Sequence, residues 1–388
     1  MKPKVLILID WFLPGHKAGG PVKSIYSLVK SLQNQVDFYI ITMNTDIHSN
    51  KAYPVKPNTW TTYEQIPVFY FSKTHFSAST LIAQIRKINP DLIYLNSLWS
   101  YYFSILPLTL KRFGLLSIPI LLAPRGMLEY GAMHTKSLKK NITLFLLKTL
   151  GFYKNVFFHA TGKEEQQSIE KYFPKAPVVQ IQNLSYISDI PVSSIEKKKH
   201  HLKLFFLSRI SPIKNLEFAI QTLQRLNASR SFIEYDIYGH VEDKAYFQQC
   251  RNLINQLPEN IKVSYKGIIE FDAVAHIISH YHFLFLPTKN ENFGHSIVET
   301  LSCGRPVLIS HCTPWNAVNT NNCGYALPLD EQLFAEKLQT MLEMDNHTFQ
   351  TMCRNAQTFI QQRLNTETIQ QAYFNLFKYV RTNIKHTG

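Results

Sequence analysis

Short apolar runs alternate with amphipathic stretches along the chain, the pattern of successive βαβ units that build parallel sheets. In the first half this pattern predicts strands at Val5–Asp10, Asp37–Thr42, Val68–Phe71, Leu92–Leu95, Ile118–Ala123, Val156–Ala160 and Val178–Ile181. Helices are expected between them, for example over Pro21–Leu32 and Ser79–Ile88. From residue 184 the chain turns Ser-rich, then runs into Glu196-Lys197-Lys198-Lys199-His200-His201, and residues 187–201 read as an interdomain linker. The alternation then restarts, with strands at Leu202–Ser208, Ile233–Tyr238, Lys262–Lys266, His282–Leu286 and Val307–Ser310. Helices at Leu216–Leu226, Lys244–Gln256, Phe271–His280 and Phe293–Cys303 separate them. The expected architecture is α/β, with two Rossmann-like, doubly wound domains at 1–186 and 202–365. A last helix within 366–388 carries Tyr373, Phe374, Phe377 and Tyr379 and is expected to pack back on the first domain. In such sheets ligands bind beyond the carboxyl ends of the strands.

A length of 388 residues fits two cores better than one. Charge adds an asymmetry: residues 1–200 hold 24 basic against 11 acidic side chains, and residues 201–388 hold 17 against 16. A cationic first domain points to an anionic surface, although a basic soluble domain without such a partner stays open. The densest stretch contains Lys111, Arg112, Arg125, Lys136, Lys139, Lys140, Lys148 and Lys154 against Glu129 alone, interleaved with Leu138, Ile142, Leu144, Leu146, Leu147 and Leu150. It suits a helix lying on anionic lipid, the alternative being a solvated cationic face. Five cysteines without a C-x-x-C pair argue against a disulfide framework or zinc site and for a reducing, cytoplasmic setting, peripheral to the membrane at most. The apolar start is interrupted by Asp10 and reads as a first buried strand. The longest apolar runs fall short of the ~20 residues a spanning helix needs.

Three stretches carry candidate chemistry. In His282–Ser310 an apolar strand ends at Pro287, a polar loop carries Glu291, and Asn292-Phe293-Gly294-His295 opens a helix bearing Glu299. The Glu-x7-Glu spacing means little alone, because Glu234 and Glu242 share it; the strand–loop–helix context marks Glu291 and Glu299. There the N–H groups of Phe293–His295 and the positive end of the helix dipole form an anion site. The second stretch, Leu207–Leu216, brings Arg209 and Lys214 to a strand end. A guanidinium fork and an ammonium there suit a diphosphate, or are solvated loop cations. The third is the first βα turn, where Gly19-Gly20 precedes Pro21. It allows close approach of the backbone to a ligand, or is a plain flexible turn. No G-x-G-x-x-G follows the first strand, so a dinucleotide fingerprint is missing.

In this order and on halves of this size, these stretches resemble the retaining family-4 glycosyltransferases of the GT-B fold, with two facing domains and a cleft between them. The stretches Trp11–Ser24, Asn96–Trp99, Pro124–Leu128 and Thr313–Trp315 resemble a bacterial subgroup that builds surface polysaccharides such as lipopolysaccharide or capsule. The resemblance implies that Arg209 and Lys214 hold the donor diphosphate. Glu299 would take the ribose hydroxyls and Glu291 the donor sugar, with Phe293, Gly294 and His295 supplying amides. Gly239, Gly267 and Ile268 would flank the base, and Gly19 and Gly20 would close on phosphate and acceptor. Asn215 and Asn292 stand where relatives carry glycine. Ala123-Pro124-Arg125 stands where many carry His-Asp, which makes Arg125 a candidate for an anionic acceptor. No D-x-D occurs, so neither metal nor cofactor is expected, and the substrates implied are a nucleotide sugar and a glycan or lipid-linked acceptor. Two alternatives are a nucleotide-sugar epimerase of the same fold and a non-catalytic basic nucleic-acid-binding protein. Against the second, the basic excess is diffuse and no nucleic-acid motif appears.

Overall fold

The computed structural model describes residues 2–15, 17–47, 49–128, 137–185, 195–226 and 231–382. It divides into two compact units, Met1–Tyr186 with Thr366–Gly388, and Ile187–Asn365. The first unit is built on β1 (Lys4–Leu8), β2 (Asp37–Met43), β3 (Trp60–Tyr63), β4 (Ile66–Phe71), β5 (Leu92–Leu95), β6 (Ile120–Leu122), β7 (Val156–Ala160) and β8 (Val178–Gln180). Their spatial order is β3-β4-β2-β1-β5-β6-β7-β8. All pairings are parallel except β3 with β4, and Val5 of β1 pairs with Phe38 on one side and Leu92 on the other. Strands covered on both faces must be apolar throughout, and β5 is: Leu92, Ile93, Tyr94 and Leu95 are all buried. The C-terminal helix Thr366–Thr382 belongs to this unit. Phe377 packs edge-on against Phe38 and Tyr94, Tyr379 meets Phe157, and the Arg381 guanidinium lies 3.1 Å from the Asp91 carboxylate.

The second unit holds β9 (His201–Leu207), β10 (Phe232–Tyr238), β11 (Ile261–Gly267), β12 (Phe283–Leu286), β13 (Val307–Ser310) and β14 (Gly324–Leu327), all parallel, in the order β11-β10-β9-β12-β13-β14. The chain lays β10 on one side of β9 and later returns to lay β12 on the other. The order therefore reverses between β9 and β12, and at such a point the loops leave a crevice. Both units are thus doubly wound α/β sheets.

Several details depart from the sequence expectation. Strands β3 and β14 were not anticipated, both being short and only partly buried rather than unbroken apolar runs. The helix expected over Phe271–His280 is a 3₁₀ turn, Phe271–Ala273, followed by a short α-helix, Val274–Ile278. The helix expected from Phe293 starts at His295, because Gly294 takes a left-handed conformation. Residues 195–200, expected in the linker, pack onto the second unit; residues 187–194 lie outside the described residues. Lys197 is buried there, its ammonium donating to the carbonyls of Lys198 at 2.8 Å and Met344 at 3.3 Å, close to where the helix Glu331–Glu343 ends. A cation suits the negative end of a helix.

Among the described residues, each unit also encloses one neutral histidine. His159 Nδ1 lies 2.6 Å from the Tyr94 hydroxyl and Nε2 lies 2.8 Å from the Ile181 carbonyl, so the partners fix the Nε2–H tautomer. In the second unit His282 Nδ1 accepts from the Lys203 amide at 2.9 Å and Nε2 faces the Glu196 carbonyl at 3.2 Å. Burial, reinforced by nearby cations, lowers both from 6.5 to about 3. The unfolded chain then binds more protons than the native one between these two values, so stability is full above the ordinary histidine range and falls as pH drops through it. Thermal unfolding followed by circular dichroism should therefore show a midpoint several degrees lower at about pH 5 than at about pH 7. His282→Gln, which keeps one acceptor and one donor, should flatten that dependence in the second unit; an unchanged slope would contradict the assignment.

Candidate functional site

At the β9/β12 crevice, the loop leaving β9 forms a 3₁₀ turn, Pro212–Lys214, and the loop leaving β12 is bonded directly to it. The Lys289 amide donates to the Ile213 carbonyl at 2.8 Å, the Asn215 side-chain amide donates to the Pro287 carbonyl at 3.0 Å, and the Thr288 hydroxyl lies 3.1 Å from the Ile213 carbonyl. These bonds hold Lys214 against Glu291, with Nζ 2.5 Å from Oε2 and side-chain exposures of 10% and 17%. The structure thus brings together two predicted site residues separated by 77 positions in sequence. Asn215 explains one departure from the family pattern: it sits at φ 60, a left-handed position open to asparagine as well as glycine.

Gly294 turns the β12 loop into the helix His295–Ser302 at φ 76. A Cβ there would stand 3.0 Å from Ile297, 3.2 Å from Glu291 and 3.3 Å from the Trp315 indole nitrogen. Trp315, on the loop after β13, donates its indole N–H to the Phe293 carbonyl at 2.5 Å and packs edge-on against the Phe293 ring, which in turn meets His295. The first N–H groups of an α-helix have no intrahelical acceptor, so this terminus presents amide donors and the positive dipole end beside the Lys214–Glu291 pair. Glu299 lies one turn into that helix and is half-buried.

Arg209 has a different partner. Its Nη1 stands 2.7 Å from both carboxylate oxygens of Glu242, a residue that sequence spacing alone had offered and context had set aside. The signal available was position: Glu242 follows β10, the neighbour of β9, at the same sheet end. Gly239 occupies the narrow crossing between them. At φ 141, a Cβ there would stand 1.7 Å from the Ser208 carbonyl, and its amide donates to the Gly267 carbonyl at 2.8 Å. Gly267 and the exposed Ile268 therefore sit next to Gly239 at the ends of β10 and β11.

In the first unit, Gly19 caps the helix Gly20–Leu32 at φ 64, and the position of its missing side chain is open. Arg125, also left-handed at φ 57, is engaged by its own unit. Nε and Nη2 donate to Asn96 Oδ1 at 3.1 and 2.7 Å, Nη1 donates to Asn183 Oδ1 at 2.6 Å, and Nη2 lies 3.2 Å from the Tyr94 hydroxyl. At the end of β1, burial raises the Asp10 pKa while the Ser100 hydroxyl donates to it at 2.6 Å. Neither Asp10 nor Asn183 was singled out as a site candidate. Glu129 and Lys136 of the basic stretch lie outside the described residues, as do the side chains of Leu138 and Lys139. Among the described residues no three potential metal-ligating side chains cluster, and no helix is long and apolar enough to cross a membrane.

Comparison with known proteins finds similarity in the region that holds this crevice. Residues 191–358 match the family described as "Glycosyl transferases group 1". The match lies within the second unit, and the chain as a whole has the GT-B fold. The fold is shared with sucrose-phosphate synthase from Thermosynechococcus elongatus, at TM-score 0.73 and 15% identity over 98% of this chain and 99% of that one. It is shared also with HepE from Anabaena, solved in complex with UDP and glucose, at TM-score 0.70 and 17% identity over 97% and 100% of the two chains. WaaG, a glycosyltransferase involved in lipopolysaccharide biosynthesis, superposes at TM-score 0.67 and 11% identity over 96% and 99%. A search of curated proteins by sequence gave no match.

Gly239→Ala should be among the most damaging single-methyl additions in the second unit. The new Cβ would meet backbone rather than a yielding side chain, at a φ that alanine avoids. A loss of about 3 kcal/mol or more is expected in denaturant unfolding; a loss below about 1 kcal/mol would contradict the crossing described here.

Proposed function

We propose that this chain moves a hexosyl group from a nucleotide-diphosphate donor, UDP- or GDP-linked, to a glycan or lipid-linked acceptor in surface-polysaccharide synthesis, with retention and without a metal. The observation that carries the reading is the Lys214–Glu291 pair beside the His295–Ser302 helix terminus, inside the region matching the group 1 family. Breaking the anomeric bond leaves negative charge on the nucleotide diphosphate and positive charge on the sugar. Fixed cations and amide donors aimed at the phosphate speed that step more than any other contribution the fold can make. Lys214 supplies a point charge whose rotamer the Glu291 carboxylate fixes, and the helix terminus supplies oriented N–H groups. Arg209 supplies a second cation once it exchanges the Glu242 carboxylate for phosphate. Glu299 takes the ribose and Glu291 a sugar hydroxyl. UDP in the HepE complex favours uridine as the base, and WaaG is the neighbour that favours a surface-glycan acceptor.

Thermal shifts with UDP, GDP and ADP test the donor site directly. At about 100 Kd one nucleotide should raise the second unit's midpoint by about 5 °C or more. Lys214→Gln and Glu299→Ala should each abolish the rise while circular dichroism reports a folded chain. No shift with any nucleotide, or a shift untouched by both substitutions, would overturn the assignment. Calorimetry of Glu242→Gln gives a further expectation. An exposed pair holds Arg209 by about 1 kcal/mol or less, so releasing it should tighten nucleotide binding by up to about fivefold. Weaker binding would mean that Glu242 itself contacts the donor.

A further inference from the structure

The helix Ser137–Thr149 turns an apolar face to solvent. Leu144 is buried, whereas Ile142, Phe145 and Leu146, at i, i+3 and i+4, are at least half exposed, and Phe145 reaches 66%. Leu150 continues this face. The guanidinium of Arg112 donates to the Leu150 carbonyl at 2.7 Å, tying the end of this helix to the turn that carries Phe113, 69% exposed, and Leu115. A contiguous exposed patch of large apolar side chains is uncommon on a soluble domain and marks something it docks against. Where the helix ends, a cavity of about 610 Å³ opens between Lys148, Lys154 and Lys175, walled by Phe157, Phe173 and Pro177. Lys148 is held there by the Tyr172 carbonyl and lies over the Phe173 ring.

We propose that this face of the first unit docks on an anionic phospholipid bilayer. Ile142, Phe145, Leu146, Leu150 and Phe113 would enter the acyl boundary, and the Lys148–Lys154–Lys175 cavity would take a lipid phosphate. The occupant is fixed by charge. Arg112 at the neighbouring turn and Lys148, Lys154 and Lys175 around the cavity border the apolar patch with cations that a second copy of the same surface would repel. Apolar insertion and attraction to anionic headgroups add, and a helix with both binds in the interfacial plane. Every residue of this face lies in the first unit, so docking is independent of the donor-site reading.

Flotation with vesicles of phosphatidylcholine containing about 30% phosphatidylglycerol, compared with phosphatidylcholine alone, tests it. The full chain should float with the anionic vesicles and partition about tenfold or more weakly to the neutral ones. Phe145→Ser with Leu146→Ser, both exposed positions, should lower anionic binding by about tenfold with the thermal midpoint unchanged. Lys154→Gln with Lys175→Gln should lower it severalfold. Phe145→Trp should shift its emission to the blue on binding. Equal partition to neutral vesicles, no binding, or no emission shift would each overturn the proposal. So would a lipid-free dimer, seen by light scattering, that the Phe145/Leu146 double substitution dissociates, since the occupant would then be a second copy.

Discussion

The ion pair between Lys214 and Glu291 joins two loops that the sheet order brings side by side. Without it, the loops after β9 and β12 would each carry one poorly solvated charge. Removing a single partner from a buried pair costs about 3–5 kcal/mol, because the remaining charge is left uncompensated. At 10% and 17% side-chain exposure this pair approaches that regime. The hydrogen bonds from Lys289 and Asn215 across the same crevice keep the geometry while the charges supply its polarity. Trp315 then fixes the start of the helix by bonding the Phe293 carbonyl, and Gly294 is the residue small enough to let Glu291, Ile297 and Trp315 meet around it. A rigid cation beside a helix terminus is what a charge-developing reaction requires, since preorganised dipoles need no rearrangement as the charge appears.

The first unit solves a different problem with Arg125. Its guanidinium is held by neutral oxygens of β5, the segment just after it and the segment after β8, through Tyr94, Asn96 and Asn183. The sequence resemblance made Arg125 an acceptor-side candidate. The geometry also gives it a positioning task, tying the loop after β6 to the rest of the unit. Glu165 completes that loop by accepting from the Gly126 amide at 2.6 Å and from Thr161.

What could be read from the sequence was governed by periodicity and by local backbone chemistry. Strands buried on both faces, such as β5 and β12, are unbroken apolar runs and were legible at once. The hairpin joining β3 to β4 was not, because its turn is made by Glu64 and Gln65 at φ 46 and 70 rather than by Asn-Gly. Long-range partners hold Glu64: Lys30 at 2.8 Å and the Tyr26 hydroxyl at 2.7 Å. In the site, Lys214, Glu291 and Gly294 were legible because strand–loop–helix context places them. The Arg209–Glu242 pair was not, since it depends on β9 and β10 being neighbours. Lys197 was placed in the linker for a similar reason: a charged run gives no local sign of the helix-end carbonyls that the fold brings to it.

A crystal structure of the chain soaked with UDP is the decisive measurement for the donor site. The diphosphate is expected within hydrogen-bond reach of Lys214 Nζ and of the first amides of the His295–Ser302 helix, with the ribose toward Glu299. A diphosphate bound elsewhere, with the Lys214–Glu291 pair undisturbed and remote from it, would contradict that assignment.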